Sequence, residues 1–453
     1  MKLAITISRI LVGSLFILSG LIKANDAIGF EYKLIEYFSE KALGFPDLIP
    51  YALPIAIFIC VGEILLGAAL LLGAYPKLTN ALIMFMLVFF AFLTYYTMTC
   101  DPFTEVEFVN EMGETYMATP ECVLECGCFG NAIPLTPKES FIKDLILLFF
   151  AIFPFLGAFV FNNQRLNNSK EDMVMVVGCL VFSVLFSLLM LDWLFPILFA
   201  GILLGVGILV KKYSERKEWL MALALLIVVG WFQCHTLNHL PINDYRPYAI
   251  GVNIPQDMQS AAERGLTPPV YITMYELTNK ESGEVLEMDS KTYVADRIWE
   301  NKSLEITKSW GPIKVEEGYE PPIPPDFEFT NAEGDLMTDS IIYDKGYVFL
   351  HVAYDLEHTC LCAQENLNDF AAKSAADGHH MYALTNSGLD QIENYRHEHQ
   401  ASYEFLIGDE KILKTIIRAN PGLMIIKDGV VVNKYHCNDI PTYDEAKADN
   451  FQP

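Results

Sequence analysis

Residues 122–128 read Cys-Val-Leu-Glu-Cys-Gly-Cys, and with Cys100 they place four of the chain's ten cysteines, Cys100, Cys122, Cys126 and Cys128, in one short loop between hydrophobic segments. Thiols this close in sequence have three uses: a structural disulfide, a metal site, or a dithiol that is repeatedly oxidised and reduced. The compartment weighs first, since a cytosolic cluster favours metal and an exported one favours disulfide chemistry. Far along the chain a second pair, Cys360 and Cys362, is separated by one residue, and Cys437 follows it at a distance.

The elements that must position these thiols are written in the hydropathy. The 453 residues are 52% hydrophobic, too apolar for an ordinary soluble protein, and the excess lies in the first 240 residues. The run 3–22 reads as a retained helix rather than a cleaved signal, because no small-residue cleavage site follows it. Further runs at 51–74, 78–98, 140–161, 173–191, 193–210 and 218–238 bring the count to seven, each near the ~20 residues that span hydrocarbon. The two runs that meet at Asp192-Trp193 read as two tight spans or as one span with a re-entrant piece.

Loop charge sets the orientation. The loop 99–137 contains Asp101, Glu105, Glu107, Glu111, Glu114, Glu121 and Glu125 with no Lys or Arg, whereas Lys2, Lys77, Arg165, Lys170, Lys211, Lys212, Arg216 and Lys217 fall on the other side. Cytoplasmic loops collect Lys and Arg, so the cysteine loop faces outward, and an odd number of spans exports everything after about residue 240. An inner (cytoplasmic) membrane location follows, multi-pass, with a cytoplasmic N-terminus and a periplasmic C-terminal part. The net charge of −25 excludes nucleic acid as a partner, since phosphates demand a basic face. The expected partners are the lipid bilayer and exported client or envelope proteins.

Between the first two spans, 28–43 reads as an amphipathic helix, either on the outer membrane boundary or packed on the bundle. Within the spans stand Arg9 and Glu63. A charge in hydrocarbon costs at least ~2.5 kcal/mol, so each demands a partner or a polar pocket. Counting at ~1.5 Å per residue puts them roughly 8 Å apart in depth, which a long arginine can close. They are candidates for a mutual ion pair or for binding a polar ligand such as a quinone head group. Gly62, Gly67, Gly73, Gly201 and Gly205 read as close helix packing.

Ser8-Arg9-Ile10-Leu11-Val12-Gly13, Ser19-Gly20-Leu21-Ile22-Lys23 and Gly62-Glu63-Ile64-Leu65-Leu66-Gly67 resemble the DoxX superfamily of four-helix membrane proteins. Within it, Cys126-Gly-Cys128-Phe129-Gly130 resembles the MauE branch, with Asn131 where the resemblance leads us to expect an acid. The resemblance covers roughly 1–161 and implies a part in disulfide formation beside a thioredoxin-like partner. After residue 240 the composition becomes that of a soluble protein. Segments at 270–277 and 291–295 suggest strands of a small α+β element over 241–318, a spacer or docking surface, and 319–325, Tyr-Glu-Pro-Pro-Ile-Pro-Pro, reads as a stiff linker.

Beyond it, Asp326-Phe-Glu-Phe-Thr-Asn-Ala-Glu-Gly-Asp resembles the entry strand of thioredoxin-like proteins of the TlpA and peroxiredoxin type. A buried strand at 347–354 precedes Cys360-Leu-Cys362 and a helical pattern through Leu367, Phe370 and Ala371. A strand pair turns at Asp428-Gly429, and Pro421 stands where the resemblance implies a substrate-contacting cis-proline. A thioredoxin-like redox site needs two thiols two residues apart at a helix N-terminus. Here Cys362 fits the second position and Thr359 occupies the first, so Cys360 serves from a shifted place or the domain is degenerate and kept for binding. Cys437 can pair with either thiol.

The expected fold class is therefore a membrane all-α bundle, a DoxX/MauE-like four-helix core (1–161) with about three further spans (162–240), followed by the exported element and an α/β thioredoxin-like domain (326–453). The expected function is a membrane-bound thiol-disulfide oxidoreductase. Electrons would pass from exported protein thiols through Cys360 and Cys362 to Cys126 and Cys128, and on to a membrane acceptor such as quinone. Cys100 and Cys122 would either pass electrons onward or form a static bridge. Metal is the least favoured use of the loop, because it contains no histidine and exported thiols are usually oxidised. Cys60 and Cys179 read as buried apolar side chains, and Cys234, beside His235 and His239, as a packed interfacial residue or an extra relay. The competing function is a non-enzymatic envelope component whose exported domain binds a partner protein.

Overall fold

The structure, a computed structural model, describes residues 2–109, 115–123, 127–161, 167–213, 217–325 and 327–451. Cys126, with Glu111, Glu114, Glu125, Arg165, Arg216 and Asp326, lies outside the described residues. The chain divides into two compact units, 1–246 and 247–453.

In the first unit, helix α1 (Lys2–Asn25) is followed by a shorter helix α2 (Ala27–Phe38), and a 3-10 turn at Pro46–Tyr51 leads into α3 (Ala52–Leu72). Helix α4 (Pro76–Thr99) ends at a small hairpin, β1 (Val106–Val109) with β2 (Thr115–Ala118). Then come α5 (Pro137–Phe159), α6 (Ser169–Phe186) with a π turn at Ser187–Leu191, α7 (Phe195–Tyr213) and α8 (Glu218–Asn238). Among the described residues, seven helices are long and apolar enough to cross a membrane, matching the seven runs of the sequence. The π turn ends at Asp192 with positive φ, and α7 starts three residues later, so the runs meeting at Asp192-Trp193 are two separate spans.

Helices α1 and α3 form the centre. Gly13 and Gly67 let them touch, since a Cβ on Gly67 would come 2.6 Å from the Gly13 carbonyl oxygen. One apolar cluster, including Ile17, Leu21, Ile64, Ala68, Leu203 and Leu225, joins this pair to α6, α7 and α8. A second, including Val12, Phe16, Leu70, Ile83, Leu87 and Leu147, joins it to α4 and α5. The glycine expectations are only partly met. A Cβ at Gly62 or Gly205 would have nothing within 4 Å, and Gly73, at φ +74, ends α3 in the left-handed conformation that glycine allows.

Helix α2 packs on the bundle, with buried Leu34 against Ala52 and Ala56, and Tyr37 donating or accepting a 2.9 Å bond with Thr97. It stops at Phe38, short of the expected residue 43, because Ser39 leaves the helical conformation at ψ 151° and the chain turns back, with the Leu43 N–H donating to the Tyr37 carbonyl.

The expected Arg9–Glu63 pair does not form. Glu63 meets Lys23 instead, with Nζ 2.6 Å from Oε1 and both side chains almost fully buried. Arg9 donates to the carbonyls of Leu70 and Leu71 at 2.8–3.0 Å and to Asn167 Oδ1 at 2.9 Å. These carbonyls belong to the last turn of α3, which has no intrahelical donors left and a negative dipole end, so a guanidinium suits it. Lys211, one of the basic residues expected on the cytoplasmic side, forms a second buried pair with Asp172 at 2.7 Å.

In the second unit a short helix α9 (Ile254–Asp257) precedes a three-stranded antiparallel sheet of order β4-β3-β5, made of β3 (Val270–Asn279), β4 (Val285–Asp289) and β5 (Leu304–Glu316). Residues 291–295, expected as a strand, lie in helix α10 (Ser290–Ala295), because Asp289 caps it by accepting from Thr292 N at 2.9 Å.

The larger sheet has order β11-β10-β7-β8-β9-β6. It is built from β6 (Phe329–Thr330), α11 (Thr338–Ile342), β7 (Tyr347–Val352), α12 (Gln364–Ala376), β8 (His380–Thr385), α13 (Leu389–His399), β9 (Glu404–Gly408), α14 (Glu410–Ile416), β10 (Gly422–Lys427), β11 (Val430–His436) and α15 (Tyr443–Asn450). Strands β7, β8 and β9 run parallel and β10 joins β7 antiparallel, the thioredoxin-like arrangement. Strand β7 is buried at every residue, as a central strand covered on both faces must be. Asp428 and Gly429, both at positive φ, make the β10–β11 turn. The segment before the three-stranded sheet also joins this module: Asn253 bridges Val430, and Val431 exchanges backbone bonds with Gly251 and Val252. Residues 319–325 are no free spacer, since Ile323 is fully buried and its N–H bonds to Asp257.

Candidate functional site

In the membrane unit the hairpin β1–β2 is closed by a disulfide between Cys100 and Cys122, Cα atoms 5.7 Å apart. Cys100 ends α4, and Glu121 is tied to Lys41 by a backbone bond, so the bridge pins the loop over α2. Cys128 is half-buried. Its carbonyl accepts from Ser19 Oγ at 3.1 Å, and neighbouring Phe129 is buried beside Ile22 and Trp193. Cys128 therefore sits beside the C-terminal part of α1, near the turn of helix that also carries Lys23. Cys60 and Cys179 are fully buried among apolar side chains, as expected, and Cys234 is exposed. His235 stacks on Trp231 and touches His239, so this helix end is an aromatic cluster.

In the thioredoxin-like module the thiols gather. Strand β7 leads through a loop to Cys360, whose N–H bonds to the Asn420 carbonyl at 2.9 Å. The Asn420 side chain in turn holds Asp355 O at 2.8 Å, and the Asn420–Pro421 peptide is cis, so Pro421 flanks the cysteine turn as expected. A 3-10 turn at Leu361–Ala363 then opens α12, placing Cys360 and Cys362 at a helix start. From the other side, the end of β11 brings Cys437. Asn366 on α12 clamps that segment by donating to the carbonyls of Ile440 and Pro441. The three sulfurs of Cys360, Cys362 and Cys437 lie within 4.8 Å of one another.

The three thiols are unequal. Cys360, exposed, is held below its ordinary value first by the hydrogen bond from Cys362, whose N–H also donates to its sulfur at 3.3 Å. Cys362 is pushed up by partial burial and then by Cys360, and Cys437 is pushed up to about 12 by burial and then by Cys362. The negative charge of the cluster therefore resides first on Cys360. Thr359 occupies the place of the absent first cysteine, and its hydroxyl is buried with no hydrogen-bond partner among the described residues.

Sequence reasoning singled out Cys360 and Cys362 but left Cys437 as an open pairing, and the structure brings all three together. It missed Lys23 as the partner of Glu63, although Lys23 stood inside a quoted motif. It also missed a buried polar row beneath α12: Tyr395 donates to Gln364 Oε1 at 2.6 Å, Gln364 bonds Tyr403, and Tyr403 meets His351 Nδ1 at 3.0 Å.

Residues 1–102 match the family model described as Methylamine utilisation protein MauE, a match that ends before the Cys126-Gly-Cys128 block. Over 179 residues the chain is 28% identical to Protein TlpB of Flavobacterium psychrophilum, which covers 38% of this chain and 40% of that relative's length. Similar solved structures include a secreted Mycobacterium tuberculosis disulfide oxidoreductase homologous to E. coli DsbE (11% identity, TM-score 0.23, 27% of this chain and 92% of that chain). Another is StoA from Bacillus subtilis (14% identity, TM-score 0.23, 27% and 93%). The chain thus has a MauE-type N-terminal membrane region and a thioredoxin-like C-terminal module, the latter carried by its own strand order.

Proposed function

We propose that this chain is a membrane-bound thiol-disulfide oxidoreductase of the inner membrane, with the thioredoxin-like module in the periplasm and the N-terminus in the cytoplasm. The observation that carries the proposal is the exposed, acid-shifted Cys360 with two further thiols in reach of its sulfur. A substrate thiolate attacks the Cys360–Cys362 disulfide and forms a mixed disulfide. The second substrate thiol displaces it, leaving an oxidised substrate and two reduced cysteines. These two cysteines then reduce a Cys126–Cys128 disulfide by the same exchange, so two electrons and two protons move at each stage.

A quinone, when bound, would supply the terminal two-electron sink. Lys23 Nζ would donate to a quinone carbonyl, and Glu63 Oε2, buried without a hydrogen-bond partner among the described residues, would accept from the hydroxyl of the reduced form. Arg9 engages Leu70, Leu71 and Asn167 through Nε and Nη2.

The test is the cellular redox state of Cys126 and Cys128, read by alkylation before and after reduction. In Cys360→Ser and Cys362→Ser these two cysteines should accumulate oxidised, because their reductant is gone. An unchanged state in both variants, with no mixed disulfide trapped by Cys126→Ser or Cys128→Ser, would transfer support to the second reading. That reading is an envelope component whose module binds a partner protein, and Thr359 in place of a cysteine favours it.

A further inference from the structure

A dithiol cycle uses two sulfurs, and here there are three. Whichever disulfide forms among Cys360, Cys362 and Cys437, one thiol is left over, yet two separate elements, the start of α12 and the end of β11, are clamped so that all three sulfurs converge. Cys360 receives the Cys362 N–H, the kind of donor that stabilises a thiolate, the three thiols hydrogen-bond among themselves, and Cys362 also reaches the Cys437 carbonyl at 4.0 Å. Neighbouring His436 is buried, and its Nδ1 both accepts the Asn438 N–H at 3.2 Å and lies 3.4 Å from the Cys437 sulfur.

Three sulfurs about 2.3 Å from one ion stand about 4 Å apart in a trigonal plane, and the three sulfurs here lie within 4.8 Å of one another. Thiolate donors select soft ions, and zinc completes a tetrahedron with a fourth ligand, whereas monovalent copper is content with three sulfurs. We propose that the reduced module binds one Cu(I) ion through Cys360, Cys362 and Cys437. No electron moves: up to three thiol protons leave as three sulfur–copper bonds form, so affinity rises with pH. The open face at Cys360 and Cys362, both exposed, leaves the ion accessible for capture and transfer. The proposal stands apart from electron transfer to the membrane unit, since a two-thiol disulfide cycle does not require Cys437.

The test uses the full-length protein in detergent, reduced and desalted without oxygen, titrated with Cu(I) against bicinchoninate as competing chelator. Wild type should retain one ion per chain, and Cys437→Ser should weaken retention by at least about 100-fold, more than loss of an outer partner costs. In the same variant Cys360 and Cys362 should still oxidise to a disulfide, which also reports that the module is folded. A footprint on wild type avoids variants altogether: bound Cu(I) should shield Cys360, Cys362 and Cys437 together from alkylation, mapped by mass. Retention unchanged in Cys437→Ser, shielding confined to Cys126, Cys128 or Cys234, or tight Zn(II) binding without Cu(I) retention would each overturn the proposal.

Discussion

At the scale of single residues, the membrane unit turns on which basic side chain meets Glu63. Lys23 and Glu63 are buried together, with the Lys23 ammonium also near the rings of Phe30 and Phe90. Removing one partner leaves the other charge unpaired, which for a buried pair costs roughly 3–5 kcal/mol. We therefore expect Glu63→Gln and Lys23→Gln each to lower the detergent melting temperature sharply, and the double variant to lose less than the sum of the two. Strictly additive losses in that cycle would remove the pair as a structural unit. Arg9, whose partners are helix-end carbonyls, should show no coupling to Glu63.

At the scale of elements, the thioredoxin-like module hangs on β7, and β7 carries His351 facing Tyr403 in a fully buried site. Burial lowers its pKa from 6.5 to about 4, because the interior resists the charged imidazolium. As pH falls, the unfolded chain takes up this proton first. The contribution of His351 to stability is thus complete above about pH 6.5 and is lost as pH falls toward about 4, on the order of 3 kcal/mol over that window. Urea unfolding of the whole protein, followed by Tyr and Trp signals of the soluble unit, should show this slope, and His351→Gln should flatten it. An identical slope in the variant would assign the acid sensitivity to other groups.

At the scale of the whole molecule, two kinds of chemistry lie in one chain: a unit with seven membrane-length helices among the described residues and a disulfide-closed loop, and a thioredoxin-like unit with three converging thiols. Their cooperation requires both to face the same compartment. A membrane-impermeant maleimide should therefore label Cys360 and Cys362 in intact spheroplasts, and also Cys100 and Cys122 after mild reduction. Labelling that appears only once the membrane is broken would reverse the orientation and separate the thiols from an oxidising environment.

Much of this was legible in the residues themselves. Seven spans follow from local hydropathy, because hydrocarbon thickness fixes the length of an apolar helix whatever its neighbours. The parallel core strand at 347–352, the helix after Cys362 and the turn at Asp428-Gly429 follow from local pattern and backbone preference. Contacts between distant segments were not legible, since they depend on helix rotation and strand register. Lys23 rather than Arg9 reaches Glu63 because α1 presents that residue to α3 at the depth of Glu63, a contact across 40 positions. Asp289 made a helix of 290–295 through one capping bond that alternation could not show. Cys437 joins Cys360 and Cys362 only because β11 pairs with β10 and β10 with β7, which carries its end to the start of α12, 75 residues back along the chain. The thiols were determined by sequence, and their number at one site by the sheet.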